Sequence, residues 1–298
     1  MWARRLVAVP VVLIVALSAS GGLASASPAD RLPPATLAAI RATMQPEELV
    51  LFDARTADPR IVPVAYSRFR YRVAQTADGT ETVTLLERQD ASATTGFALT
   101  RTTAAAPKIV PTAAGTGGYH DLYISISVNR DTRYAGYVWL LGGYFSFSNG
   151  YAYGMDAYNG TEDKFATGWA GGLAMIADGY SGVYYRPTGV NPGPLDIHRD
   201  GGTANAGVSY SFHEWARTAC GPQGLYSCQV QWGQNWQDIQ ETTWANALAN
   251  VVITYYHTAG SSLNAGIGVS VSGPSVSLTP SPSSAVAWSA AAYTSFTH

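Results

Sequence analysis

The chain is 298 residues long, with 18 basic and 20 acidic side chains and only 13% charged residues. That length can bury a sizeable core, as one large domain or two small ones. The slight negative charge excludes a uniformly basic surface, so nucleic acid is not an expected partner and an anionic membrane is an unlikely one by charge.

The first 26 residues read as a secretory signal peptide. Met1, Arg4 and Arg5 open the chain, Leu6 to Leu17 is apolar apart from Pro10, and Ala24-Ser25-Ala26 closes the segment as an A-x-A cleavage pattern. The apolar run is too short to span a bilayer and no second one follows. The expected mature chain is secreted, extracellular, and starts near Ser27. Losing Arg4 and Arg5 takes the basic count from 18 to 16 against 20 acidic residues, a charge of −4. Lys108 and Lys164 are the only lysines, a bias expected of a GC-rich bacterial genome. The 30 glycines, 18 tyrosines and 8 tryptophans point away from a helical bundle and towards antiparallel β structure.

Residues 27–90 are expected to form a small α+β region. Leu37, Ile40 and Met44 recur at helical spacing, and Pro46 ends that helix or starts another turn. Residues 61–75 alternate, Asp78-Gly79 supplies a two-residue turn, and residues 81–89 return. This register sets Arg70 against Glu87 and Tyr71 against Leu86, an opposite-charge pair beside an apolar one. Arg68, Arg70 and Arg72 then share one strand face, read first as a solvated face and second as a binding stripe. Residues 91–118 are rich in Ala, Thr, Gly and Pro and read as a linker.

Residues 119–298 are strand-rich, with no alternation of helix and strand. Leu122, Ile124, Ile126 and Val128 alternate with Tyr123, Ser125, Ser127 and Asn129. The run 134–148 is apolar and aromatic but broken at Gly142-Gly143. Residues 165–177 read as one bent or bulged strand, and 186–204 as a loop. Further strands are expected at 208–215, 225–232, 251–257, 267–272, 275–279 and 285–297, with one helical turn within 237–249. The expected fold is an antiparallel β-sandwich or jelly-roll-like domain preceded by the small α+β region.

The two cysteines, Cys220 and Cys228, enclose Gly221-Pro222-Gln223-Gly224. In an exported chain they are expected to form a disulfide around that turn. No nucleophile elbow, zincin, Walker A or dinucleotide-binding motif occurs. His213-Glu214 begins like a zincin, but Arg217 stands where the second histidine belongs.

Three constellations remain. Asp156, Asn159, Glu162 and Asp163 put four oxygen-bearing side chains around Gly160, enough to begin a Ca²⁺ site, although a polar hairpin loop gives the same pattern. Glu214 with Asp238 or Glu241, near Trp215, Trp232, Trp236 and Trp244, could supply a carboxylate pair and aromatic platforms for glycoside hydrolysis. Core tryptophans beside solvated carboxylates explain the same residues. Residues 265–280 alternate apolar residues with Ser and Gly around Gly273-Pro274, the pattern of a pore-lining hairpin, on arms that look short for a membrane strand. His257, ending an apolar strand, reads as a packed, hydrogen-bonded histidine. The preferred reading is a non-catalytic secreted protein that binds an extracellular polysaccharide or another exported protein, with Trp215, Trp232, Trp236 and Trp244 as the binding residues. A hydrolase and a pore-former are the alternatives, and the sequence leaves the oligomeric state open.

Overall fold

The computed structural model describes residues 31–75, 81–92, 102–103, 119–134, 138–148, 162–185, 193–194, 197–213, 215–216, 228–242, 248–258, 266–272, 275–281 and 286–298. The expected signal peptide, Asp156, Asn159, Glu214, Cys220 and Trp244 lie outside them.

Two helices open the described chain, α1 (Pro34–Arg41) and α2 (Pro46–Thr56), each with proline in its first turn. The single expected helix is thus two, because Pro46 begins α2 where its missing N–H costs nothing. Gln45 and Glu48 form a reciprocal capping box at the start of α2.

The strands follow in chain order: β1 (Ile61–Gln75), β2 (Glu81–Ser92), β3 (Thr102–Thr103), β4 (Tyr119–Asp131), β5 (Val138–Phe147), β6 (Glu162–Trp169), β7 (Leu173–Tyr185) and β8 (Gly193–Pro194). After these come β9 (Ile197–Thr203), β10 (Gly207–His213), β11 (Trp215–Ala216), β12 (Cys228–Glu241), β13 (Leu248–Thr258), β14 (Gly266–Ser272), β15 (Ser275–Ser281) and β16 (Val286–Thr297). They build two antiparallel sheets and a ribbon. Sheet A runs β3-β2-β1-β4-β5-β12-β7-β8, with β11 also on β12; sheet B runs β16-β13-β6-β10-β9; among the described residues β14 pairs only with β15. The fold is the expected mainly-β sandwich preceded by a helical segment.

Sheet A crosses the expected linker, since β1 pairs with β4 from Ile61↔Asp131 to Ala74↔Tyr119. Within residues 91–118, Thr102 and Thr103 form the edge strand β3 against Arg88 and Glu87. The hairpin keeps Arg70 opposite Glu87, but Tyr71 faces Leu85 instead of Leu86, because the register shifts between Arg70 and Tyr71. A bulge of this kind is invisible to a register counted from the turn. Residues 165–177 are not one bent strand. The chain leaves sheet B after Trp169, turns at Gly171 and Gly172, both at positive φ, and enters sheet A at Leu173. The expected loop 186–204 contains β8 and β9, β5 runs unbroken through Gly142-Gly143, and β12 stays extended to Glu241 where a helical turn was expected.

The core lies between the sheets and is aromatic at its centre. Phe145 of sheet A meets Phe165 at 4.7 Å, Tyr255 at 5.0 Å and Phe212 at 5.3 Å, all three from sheet B. Each such ring contributes on the order of 1.5–3 kcal/mol through burial. A polar link also crosses the core, with Thr167 Oγ1 donating to Asn235 Oδ1 at 3.1 Å. Along one side, β16 closes against β1 and β2: Tyr71 donates to the Ala291 carbonyl, and the Arg88 guanidinium sits 4.4 Å over the Tyr293 ring.

Candidate functional site

The outer face of sheet A is set by strand alternation. Opposite the core-facing Gly233, Asn235, Gln237 and Ile239, β12 turns Trp232, Gln234, Trp236 and Asp238 outward, next to Tyr144 and Ser146 of β5. The N-terminal helices cover the β1 end of this face, where Leu32, Ile40, Met44, Phe52 and Tyr66 form a second apolar cluster. Tyr66 Oη donates to Glu48 Oε1 at 2.8 Å, and Ser125 donates to the same oxygen, which pins α2 to the sheet. At the far end of α2, Arg55 Nη2 donates to Gln234 Oε1 at 2.7 Å. Burial pulls the Arg55 guanidinium down to about 10, against the opposing pull of Asp238. The small recess between helix and sheet is lined by Phe52, Arg55, Tyr144 and Gln234 among others.

Beyond the helix the face opens onto aromatic side chains. Trp232 and Trp236 are both half-buried. Trp232 stacks on Tyr144 with centroids 6.1 Å apart and planes at 27°. A Cβ on Gly179 would stand 2.4 Å from the Trp236 ring, so the indole rests directly on the Gly179 backbone. The cross-strand row Arg70–Tyr123–Ser146–Trp232 continues the platform across four strands.

The arginine stripe is mostly consumed by the structure. Arg70 and Arg72 both bind Asp121, Arg72 through Nε at 3.0 Å. Arg68 is buried with its guanidinium 4.5 Å from the Tyr123 ring, and Arg72 lies 4.1 Å over Tyr119.

The two alternative partners expected for Glu214 lie on opposite faces of β12. Asp238 points outward towards Arg55, whereas Glu241, three residues on, takes the opposite face of β12 with its Oε1 3.3 Å from His298 Nδ1. Burial raises the Asp238 carboxyl, helped by Asp131 and opposed by Arg133 and Arg55. Their proposed partner Glu214 lies outside the described residues. Trp215 lies on β11, and nothing is described of its side chain.

Of the expected calcium ligands, Asp156 and Asn159 lie outside the described residues, and Glu162 and Asp163 lie within them. Glu162 and Asp163 are neighbours on β6 and so face opposite sides of sheet B. Glu162 lies outward, with Oε1 3.5 Å from His198 Nε2 and 3.7 Å from His213 Nε2. Asp163 lies inward and buried, accepting from Tyr255 Oη and, at 3.0 Å, from the Thr258 amide. Among the described residues, no group of three or more His, Cys, Asp or Glu side chains is placed to hold a metal ion.

His257 is packed and bonded, as its position in an apolar strand suggests. Its Nδ1 is 3.2 Å from Asp163 and its Nε2 is 3.4 Å from Glu81 of sheet A. Trp288 Nε1 donates to the same Glu81 oxygen at 2.6 Å. Sequence reasoning missed Tyr123, Tyr144 and Arg55, because nothing in their local spacing shows that α2 ends above β12.

No protein-family model matches the chain, and no curated protein matches it. Among the described residues, no helix is long and apolar enough to cross a membrane.

Proposed function

We propose that the protein is exported through its N-terminal signal peptide and binds an extracellular polysaccharide, without catalysis, across the outer face of sheet A. The carrying observation is that Trp232 and Trp236 share that face while keeping part of their surface open. Four residues along a strand set the Cα atoms of the two tryptophans about 13 Å apart, a span suited to an extended chain of sugar rings. Aromatic faces receive the C–H faces of sugars, and the half-buried indoles leave such faces open. Arg68, Arg70 and Arg72, the cations suited to an acidic polymer, are engaged with Asp121 and tyrosine rings, which favours a neutral one. Export also supports a Cys220–Cys228 disulfide, tying the segment that precedes β12 to its first residue.

The test is retention of the chain on insoluble cellulose, chitin, xylan and mixed-linkage glucan, with Trp232→Ala and Trp236→Ala beside the parent. The expected result is binding to at least one polymer, weakened about 10-fold or more by either substitution, in proportion to the 1.4 kcal/mol that a factor of ten represents. Unchanged melting temperatures would assign that loss to the binding face. Failure on all four polymers, or equal binding by both variants, overturns the reading.

A further inference from the structure

We infer that Asp238 is the hydroxyl-binding residue on the outer face of sheet A, a role that rests on the polysaccharide reading of that face. Its carboxylate selects neutral polymers whose sugar rings carry two adjacent free hydroxyls.

The other aspartates of sheet A are engaged. Asp90 accepts from Ser67 and pairs with Arg88, Asp121 holds Arg70 and Arg72, Asp131 holds Arg133, and Asp178 accepts from Tyr210 and Arg199. Asp238 accepts no hydrogen bond among the described residues; burial and the charges of Asp131, Arg133 and Arg55 are what act on it. Both of those cations are already bonded, Arg55 to Gln234 and Arg133 to Asp131. The strands on either side offer no donor either, because Asp238 stands between Leu140 of β5 and Ala177 of β7. A half-buried carboxylate has lost part of its hydration, and here no protein donor replaces it. Its oxygens still touch solvent, so a ligand can supply the missing donors.

The position suits a sugar. Two residues along an extended strand put the Cα of Asp238 about 7 Å from that of Trp236, on the same face. The Trp236 indole rests on Gly179, which leaves its opposite face for a sugar ring. A ring stacked there points its edge hydroxyls sideways along the sheet, where the carboxylate lies. A carboxylate has two oxygens and accepts from a pair of neighbouring donors at once, and hydrogen bonds to a charged acceptor are roughly twice as strong as neutral ones. Two adjacent equatorial hydroxyls on one pyranose ring match that acceptor pair.

This defines a class of polymer by its linkage. A 1,4-link between pyranose rings leaves the 2- and 3-hydroxyls free and adjacent. A 1,3-link consumes one of them, and an N-acetyl group at carbon 2 replaces the other. Cellulose and unsubstituted xylan therefore fit the site, whereas 1,3-glucan and chitin do not.

The test is calorimetric titration of the chain, recovered from the medium of an exporting host, with cellohexaose, xylohexaose, laminarihexaose and chitohexaose. The parent is expected to bind at least one of the first two about 10-fold or more tighter than either of the last two. Asp238→Ala is expected to erase that preference, bringing the 1,4-linked sugar down to the level of laminarihexaose and leaving laminarihexaose itself unchanged. Asp238→Asn keeps the volume and one acceptor, so its preference should fall between the two. If Asp238→Ala does not fold, Asp238→Asn decides the matter alone. A parent that binds all four sugars alike, or a folded variant that keeps the parent's full preference, overturns the role of Asp238 and leaves the polysaccharide reading standing. A parent that binds none of the four overturns both.

Discussion

A Cβ on Gly143 would stand 1.8 Å from Ile253 Cδ1, so a side chain of sheet B fills the space that a residue of sheet A leaves vacant. The sheets meet closely here because Gly143 carries only hydrogen, between Ile126 and Asn235 on the neighbouring strands. Gly143→Ala is expected to destabilise the fold by about 2–3 kcal/mol through overpacking. Ile253→Ala alone is expected to cost about 2–5 kcal/mol through the cavity it leaves. In the double variant the added methyl enters that cavity, so the two costs should fall well short of additive. Urea unfolding of the three variants measures this, and strict additivity would show that the two residues do not share the space.

Lys164 is buried on the outer face of sheet B, bound to Asp200 and donating to Ser211 Oγ at 2.7 Å. Lys164→Met leaves the Asp200 carboxylate with the Ser209 and Ser211 hydroxyls, and the expected loss is about 3 kcal/mol. Burial alone would push the Asp200 carboxyl up, but the hydrogen bonds from Lys164, Ser209 and Ser211 outweigh it and hold the carboxyl below its ordinary value. A depressed acid stabilises the fold above its unfolded pKa, and that contribution is lost as pH falls through the folded one. The variant should therefore lose less stability than the parent between neutral pH and the acid range. Melting curves across that range decide it, and identical acid slopes would remove Lys164 as the cause.

Much of the fold is legible in period-two patterning. Leu122 to Val128 and Val208 to Phe212 turn their apolar residues into the inter-sheet core, as their alternation requires, although Ser125, Ser127, Ser209 and Ser211 on the opposite faces are covered as well. The exceptions are instructive. The residues 165–177 look like one strand because apolar residues flank the glycines on both sides, yet positive φ at Gly171 and Gly172 lets the chain change sheets. The face beside α2 is not legible in sequence, because Gln234 and Arg55 are joined by a hydrogen bond across 179 residues of chain. Periodicity places Asp238 and Glu241 on opposite faces only once the segment is known to be extended. A helix would have brought them to one side.

Glu48 anchors α2 from inside the protein, accepting from Tyr66 and Ser125 with little contact to water. Burial raises its carboxyl, and the bonds from Ser125 and Tyr66 and the nearby Arg68 only partly offset that. A raised acid contributes stability below its unfolded pKa and loses it as pH rises through the folded value. Glu48→Gln keeps an acceptor for both hydroxyls without the charge, and is expected to change stability by less than about 1 kcal/mol at neutral pH. Glu48→Ala leaves both donors unmatched and should cost about 2–3 kcal/mol. If the two variants unfold at the same urea concentration, the hydrogen bonds to Glu48 contribute nothing.

His120 gives the clearest pH dependence. It is buried, its ring lies edge-on to Phe147 at 5.1 Å, and its Nε2 has no hydrogen-bond partner among the described residues. Burial pulls its pKa down to about 4 from 6.5, with His257 adding to the fall and Asp121 opposing it. Native His120 thus stays neutral until about pH 4, while the unfolded chain takes up its proton near pH 6.5. Between those values the unfolded state binds more protons, so stability falls as pH falls. At 1.36 kcal/mol per pKa unit the full effect is on the order of 3 kcal/mol. His120→Phe keeps an aromatic edge against Phe147 and removes the titration. Carboxylates such as Asp200 titrate in both proteins, so the difference between parent and variant isolates this one group. Unfolding free energies measured at steps from pH 7 to pH 4 should show the variant gaining about 3 kcal/mol relative to the parent. Parallel curves would mean that His120 is protonated in the folded protein, with a partner for Nε2 that the buried site must then supply.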